Sequence, residues 1–93
     1  IIPKDGVYAV KVRFAGQWYG GMMNIGLRPT FNGKKRALEV HLFDFDENIY
    51  GKEVQVRFFD RIRDELKFSG VDELIAQLRE DRNRALEILR SGE

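Results

Sequence analysis

The sequence predicts a mainly β domain, a small antiparallel barrel or curled sheet with one helix packed against it. Three observations carry that prediction. Apolar and polar residues alternate at a period of two through much of the first two thirds of the chain. Short turn-forming clusters separate those stretches. The last part of the chain then changes to the three- and four-residue spacing of an amphipathic helix. At 93 residues the chain has the length of one domain with a small core.

Pro3-Lys4-Asp5-Gly6 is turn chemistry, with proline fixing φ and Asp-Gly supplying a tight reversal. From Val7, the residues Tyr8, Val10, Val12 and Phe14 fall on one side and Ala9, Lys11 and Arg13 on the other, a half-buried strand. Ala15-Gly16-Gln17 is short enough for a hairpin, and Trp18–Ile25 returns as a second strand. Gly20-Gly21 inside it marks a bulge or a place where another backbone or a ligand comes close. Asn24–Gly33 mixes Gly, Pro, Asn and a single arginine, and reads as a loop. Arg36–Phe45 is the third strand, with Leu38, Val40 and Leu42 on one side and Glu39, His41 and Phe43 on the other.

Asp46-Glu47-Asn48 is a turn, and Gly51–Phe59 alternates again, with Val54, Val56 and Phe58 facing inward. Arg61–Phe68 reads as a short helical turn or a loop. Ser69 is a good helix N-cap, with Asp72 in the position of a capping-box acid. Val71, Leu74, Ile75, Leu78, Ala85, Leu86 and Leu89 form the apolar stripe of the helix, Arg82 lies at its edge, and Gly92 ends it. Four strands leave two open edges, which proteins normally cover. With the abrupt start at Ile1-Ile2-Pro3, this suggests that strands preceding Ile1 belong to the parent protein.

The charges nearly cancel, at net +1, which argues against an extended nucleic-acid or anionic-membrane interface. Without cysteine there is no disulfide framework and no thiolate metal site, and an intracellular location fits. No apolar run approaches the ~18–20 residues of a membrane span, and no signal peptide opens the chain. Asp44-x-Asp46-x-Asn48 has the start of a calcium loop, but Ile49 and Gln55 stand where glycine and a bidentate glutamate are needed, so a polar turn is the better reading. One histidine alone builds no metal site. No Walker lysine loop or dinucleotide fingerprint is present.

Glu39, next but one to the only histidine, is a candidate for chemistry; the bland alternative is a solvated pair. Gly26 and Gly33 let backbone N–H groups approach an anion and Arg28 adds charge, so Asn24–Gly33 is a candidate phosphate flap, or a plain surface loop. Tyr8, Trp18, Tyr19, Phe31 and Phe43 are either a stacking platform for single-stranded nucleic acid or core, and strand alternation favours core.

Five segments follow in order at familiar spacings: Gly6-Val7-Tyr8-Ala9-Val10, Asn24-Ile25-Gly26-x-Arg28-Pro29-Thr30-Phe31, Leu38-Glu39-Val40-His41-Leu42-x-Asp44-Phe45, Tyr50-Gly51 and Arg61-x-Arg63-Asp64-Glu65-x-Lys67-Phe68. Together they resemble the riboflavin kinase (flavokinase) module found at the C-terminus of bacterial bifunctional riboflavin kinase/FAD synthetases. The resemblance implies a Greek-key β-barrel of about six strands with a C-terminal helix. It also implies transfer of the ATP γ-phosphoryl group to the ribityl 5′-hydroxyl of riboflavin, giving FMN, with Mg2+, in the cytoplasm. Glu39 matches the catalytic base, a role that suits a carboxylate within reach of the attacked hydroxyl. Asn24, Gly26, Arg28 and Thr30 match the flap that encloses the nucleotide. Arg63, Asp64, Glu65 and Phe68 match a second flap that closes over the flavin.

The family's Gly-Phe-Pro-Thr-Ala-Asn segment, which holds metal and phosphates, precedes the Gly-Val-Tyr strand and is not in this sequence, so no metal ligand is expected here. The expectation is a kinase parent, with an adenylyltransferase domain upstream, and a fragment that is inactive or nearly so and pairs its open edge with another copy. The alternative is a non-catalytic small barrel that binds flavin, nucleotide or a protein partner.

Overall fold

In the computed structural model, residues 3–45 and 53–91 are described. They form β1 (Gly6–Phe14), β2 (Gln17–Thr30), β3 (Gly33–Leu42), β4 (Gln55–Arg63) and α1 (Val71–Ser91). The strands make one antiparallel sheet in the order β3-β2-β1-β4. Two hairpins join the first three strands, and β4 returns to lie beside β1, which is the Greek-key arrangement. The expected mainly β class with one C-terminal helix is thus the fold observed. The Asp46-Glu47-Asn48 turn, Tyr50-Gly51, Ile1-Ile2 and the Gly92 helix end lie outside the described residues.

The β1–β2 turn places Ala15 at φ 52° and Gly16 at φ 81°, the positive pair that matches the twist of a two-residue hairpin. Gly6 is already in β1, opposite Ile25, so Asp5-Gly6 leads into the strand instead of reversing the chain. The segment from Asn24 to Thr30 is strand, not loop. It pairs residue by residue with β3, from Asn24 opposite Glu39 to Thr30 opposite Gly33, and only Phe31 and Asn32 make the turn. Pairing satisfies the backbone there, overriding the local turn preference of Gly, Asn and Pro. Past Ile25, β2 is paired on one side only, which is where a strand tolerates proline.

β4 also runs further than its sequence suggests. Arg61–Arg63, expected in a turn or loop, are its last residues. Two register shifts against β1 make this possible, between Val7 and Tyr8 and between Ala9 and Val10. As a result Arg61 stands opposite Tyr8 and Arg63 opposite Val7, on different faces of the sheet.

β1 is buried on both faces from Val7 to Val10, instead of half-buried as its alternation implies. On one face Val7, Ala9, Met22 and Phe43 pack against Ala85 and Leu89 of α1. On the other, Tyr8, Val10, Val12, Met23, Ile25 and Leu42 form a second cluster. Val10, Val12 and Ile25 are fully enclosed, each contributing about 1.5–3 kcal/mol of burial. Val56 and Phe58 do face this second cluster, opposite Val12 and Val10, and Phe58 sets its ring edge-on to Tyr8 at 5.4 Å. They nevertheless stay more than one third exposed, as do Val54, Leu38 and Val40. Tyr8 and Phe43 serve opposite faces and Phe31 is bare at a hairpin tip, so the aromatics build no common stacking platform.

In α1, Asp81, Ala85 and Leu89 are buried. The stripe expected from Val71 to Leu78 is only partly covered: Val71, Leu74, Ile75 and Leu78 overhang the seam between helix and sheet and remain accessible. At the helix start the partner of Ser69 is Glu73, not Asp72; the Ser69 hydroxyl donates to Glu73 Oε1 at 2.9 Å. Arg82 sits at the stripe's edge as expected, its guanidinium 5.5 Å from the Phe43 ring. Among the described residues, no helix is long and apolar enough to cross a membrane.

Gly20-Gly21 marks close approach and not a bulge, since β1 and β2 pair in unbroken register. A Cβ on Gly21 would run into the main-chain carbonyl of His41 and come within 2.9 Å of Leu42 Cδ2. Gly21→Ala is therefore expected to destabilise by about 1–3 kcal/mol in thermal or urea unfolding. Gly70→Ala, where a Cβ meets nothing within 4 Å, is the control and should unfold close to the unsubstituted chain.

Candidate active site

The sheet face that carries α1 has a cleft of about 180 Å³ at the seam. Every strand contributes: Val7 from β1, Met22 and Asn24 from β2, Glu39, Val40 and His41 from β3, and Arg63 from β4, with Leu78 and Asp81 from the helix. The register explains the gathering. Val7 stands opposite Asn24, Asn24 opposite Glu39, and Val7 opposite Arg63, so one row crosses the sheet from β3 to β4. The lining is mixed: Val7, Met22, Val40 and Leu78 are apolar, Asn24, Glu39 and His41 bring polar groups from β2 and β3, and Arg63 and Asp81 bring a charged pair from β4 and α1. Two larger hollows, about 570 Å³ beside Arg13 and Glu53 and about 410 Å³ between Phe59 and Ile88, are more open and hold none of the candidate residues.

Glu39 is exposed and its Oε1 accepts from Arg28, at 3.0 Å from Nε and 2.7 Å from Nη2. Arg28 also donates through Nη1 to Glu65 Oε1, at 2.6 Å. One guanidinium thus ties β3 to the segment that follows β4. The hydrogen bond to Glu65 is the largest cause of an Arg28 pKa raised above its ordinary value; burial opposes it, and the hydrogen bond to Glu39 adds to the rise. Gly26 makes the Glu65 contact possible: a Cβ there would overlap the Glu65 carboxylate. Asn24 Oδ1 is buried with no hydrogen-bond partner, an acceptor left open beside the cleft.

On the opposite side, Arg63 and Asp81 form a two-toothed ion pair. Nε lies 2.8 and 3.0 Å from the two carboxylate oxygens, and Nη2 lies 2.7 Å from Oδ2. Gln77 donates to Asp81 Oδ1 at 3.0 Å. Arg63 Nη1 donates to the carbonyl of Asp64 at 2.9 Å, and the guanidinium stands 5.9 Å from the Phe68 ring. The Asp64 side chain turns away from the cleft to Arg61, at 2.6 Å, and that hydrogen bond holds its carboxyl below the usual carboxylate range.

Of the expected nucleotide residues, Asn24 lines the cleft, while Gly26 and Arg28 sit at its rim. Thr30 does not join them; it lies at the hairpin tip, six residues past Asn24 and about 20 Å along the strand at ~3.3 Å per residue. Of the expected flavin residues, Arg63 reaches the cleft, Glu65 and Phe68 are tied to its border, and Asp64 faces elsewhere. Sequence reading missed Met22, Leu78 and Asp81. Asp81 leaves a signal in retrospect, as a charged residue at the stripe position between Leu78 and Ala85. Among the described residues no three His, Asp or Glu side chains converge to hold a metal ion.

A Greek-key sheet with one helix laid across it, and a carboxylate-bearing cleft at their seam, defines a small mainly β domain with a candidate ligand site. Comparison with known proteins narrows that class. The flavokinase (riboflavin kinase) family model matches residues 1–89, and the chain belongs to the riboflavin kinase family. A bifunctional riboflavin kinase/FMN adenylyltransferase of Haemophilus influenzae is 52% identical over 80 residues, covering 85% of this chain and 26% of that protein. The protein of that name from Bacillus subtilis is 43% identical over 89 residues, covering 92% and 28%. The chain therefore spans about a quarter of the length of the curated relatives it matches. A crystal structure described as a macrolide-efflux protein from Streptococcus pneumoniae shares the fold, with TM-score 0.81 and 44% identity over 89% of this chain and 27% of that one.

The notch at Gly26 generates a local prediction. Gly26→Ala should push the Glu65 carboxylate off Arg28 and speed amide exchange in residues 64–68, with the rest of the sheet protected as before. Unchanged exchange in that segment would show that Glu65 is not what holds it.

Proposed function

We propose that this chain is the riboflavin kinase module of a larger protein, which transfers the γ-phosphoryl group of ATP to the 5′-hydroxyl of riboflavin to give FMN. The observation that carries this reading is the placement of Glu39 opposite Asn24 in a cleft that Met22, Val7 and Leu78 also line. A flavin is likewise mixed: a flat apolar ring system and a hydroxylated chain. With the ring along Met22 and Leu78, the chain hydroxyls reach Glu39 and the open acceptor of Asn24.

Glu39 is then the general base that takes the hydroxyl proton as the oxygen attacks phosphorus. In the structure its Oε1 is engaged by Arg28. Arg28, a planar cation at the cleft rim, is also the best-placed group to receive phosphate oxygens. Movement of Arg28 from Glu39 to a phosphate frees the base at the moment a nucleotide arrives. Gly26 belongs to the same rim; Thr30, at the hairpin tip, joins only if the hairpin bends toward the nucleotide. Arg63, Glu65 and Phe68 border the flavin end. The cleft is smaller than the ~300 Å³ at which drug-sized sites usually begin, so a whole flavin needs the Glu65–Phe68 segment to draw back. Magnesium would accompany the nucleotide and supply charge to the phosphates; among the described residues no three His, Asp or Glu side chains converge to hold it.

In this reading riboflavin fluorescence is quenched on titration with the chain, more strongly with magnesium-ADP present. Glu39→Gln should leave the riboflavin midpoint within about twofold, while lowering kcat for FMN formation in the full-length protein by about 10²–10⁴-fold. Absence of quenching would overturn the reading, and undiminished FMN formation by Glu39→Gln would remove Glu39 as base. The alternative of a binding domain without chemistry predicts quenching with no FMN formed by any length of the gene product.

Self-pairing belongs to the same proposal. Within the described residues β3 and β4 are both edge strands, whose free main-chain groups support pairing with a second copy. Light scattering over a concentration series should show mass rising toward a dimer, and a constant monomer mass would dispose of the idea.

A further inference from the structure

Asp81 is the one buried charged or polar residue among the described residues, 1% exposed, at a helix position whose neighbours on the stripe are Leu78 and Ala85. Burying a carboxylate costs several kcal/mol before its partner repays it, and an apolar pair of similar volume often does as well or better for stability. Packing alone therefore does not account for an ion pair here. What the pair supplies is direction. Three short contacts fix the plane of the Arg63 guanidinium, and Gln77 holds the carboxylate from its other side.

With Arg63 so fixed, its remaining Nη1 holds the Asp64 carbonyl, and its face stands toward the Phe68 ring. The far side of the same segment is held by Glu65 on Arg28. The segment that borders the cleft thus has two anchors of different strength. The Arg28–Glu65 pair is about one third exposed on both partners and easily exchanged. The Arg63–Asp81 pair is buried, and it stays in place when the first one opens.

We propose that Asp81 is a positioning residue for the flavin end of the cleft. Through Arg63 it sets where the Asp64–Phe68 segment begins, so that the segment swings on a fixed pivot when Arg28 lets go. This rests on the riboflavin reading given above. Nothing in the role requires Asp81 to touch the ligand.

The test separates positioning from stability with a double variant, Arg63→Met together with Asp81→Leu, beside the single Asp81→Asn. The double variant leaves no unpaired charge, and its melting temperature should equal or exceed that of the unsubstituted chain. Its riboflavin affinity, read by fluorescence quenching, should nevertheless fall about tenfold or more, because the ligand-facing wall is misplaced. Amide exchange of residues 64–68 should speed up by a similar factor while the sheet stays protected. Asp81→Asn should show the same loss of affinity with a lower melting temperature. Normal quenching by a stable double variant, or unchanged exchange in residues 64–68, would overturn the proposal and leave the functional reading standing. Failure of the unsubstituted chain to quench riboflavin would overturn both.

Discussion

The two-sided burial of β1 is the constraint on which the rest of this structure depends. Its side chains from Val7 to Val10 alternate between two clusters, one closed by α1 and one formed by the sheet alone. Because β1 also pairs along both edges, with β2 and β4, it fixes the position of every other element. Small residues are needed where the helix lands, and Ala9, Ala85 and Gly20 provide them; Leu89 fills the space that Gly20 leaves. A sheet organised in this way has one face free to carry function at the point where the helix lifts off.

That point is reached near Leu78, where the helix stripe outruns the sheet. The overhang produces the cleft, and the two arginines at its ends work in different regimes. Arg28 is partly exposed and shared between Glu39 and Glu65, so solvent screening keeps each of its pairs near the ~0–1 kcal/mol of a surface bridge. Arg63 is locked to a buried carboxylate, where breaking one partner costs about 3–5 kcal/mol. A ligand bearing phosphates competes readily for the first and hardly at all for the second. The difference in burial divides the border of the cleft into a part that responds and a part that stays.

Much of the candidate site could be read in the chain, and the losses have identifiable causes. The alternation of Leu38–Phe43 places Glu39 on the same face as His41, and pairing sets it opposite Asn24 on the side that carries the cleft. Asp64 pairs with Arg61, three residues away, a contact that a linear motif does not encode. Thr30, expected in a flap, stands in a paired hairpin that carries it away from the row containing Asn24. Leu78 reads as part of the apolar stripe of the helix, and Met22 carries no signal of its own within the second strand. Only the line along which the sheet ends makes them a wall.

The sequence by itself determined the alternation of the first strand and of Leu38–Phe43, the short hairpin at Ala15-Gly16-Gln17, the amphipathic helix and the family to which the chain belongs. Those features depend on near neighbours along the chain, and near neighbours are what a sequence displays. Tertiary structure alone decided how far β2 and β4 extend, since a strand continues for as long as a partner satisfies its backbone. It also decided the two register shifts that bring Arg63 to the helix side, and the selection of Asp81, among the many acids of α1, for burial. Both are outcomes of pairing between segments that are distant in the chain, where the energy of one partner is undefined until the other is in place.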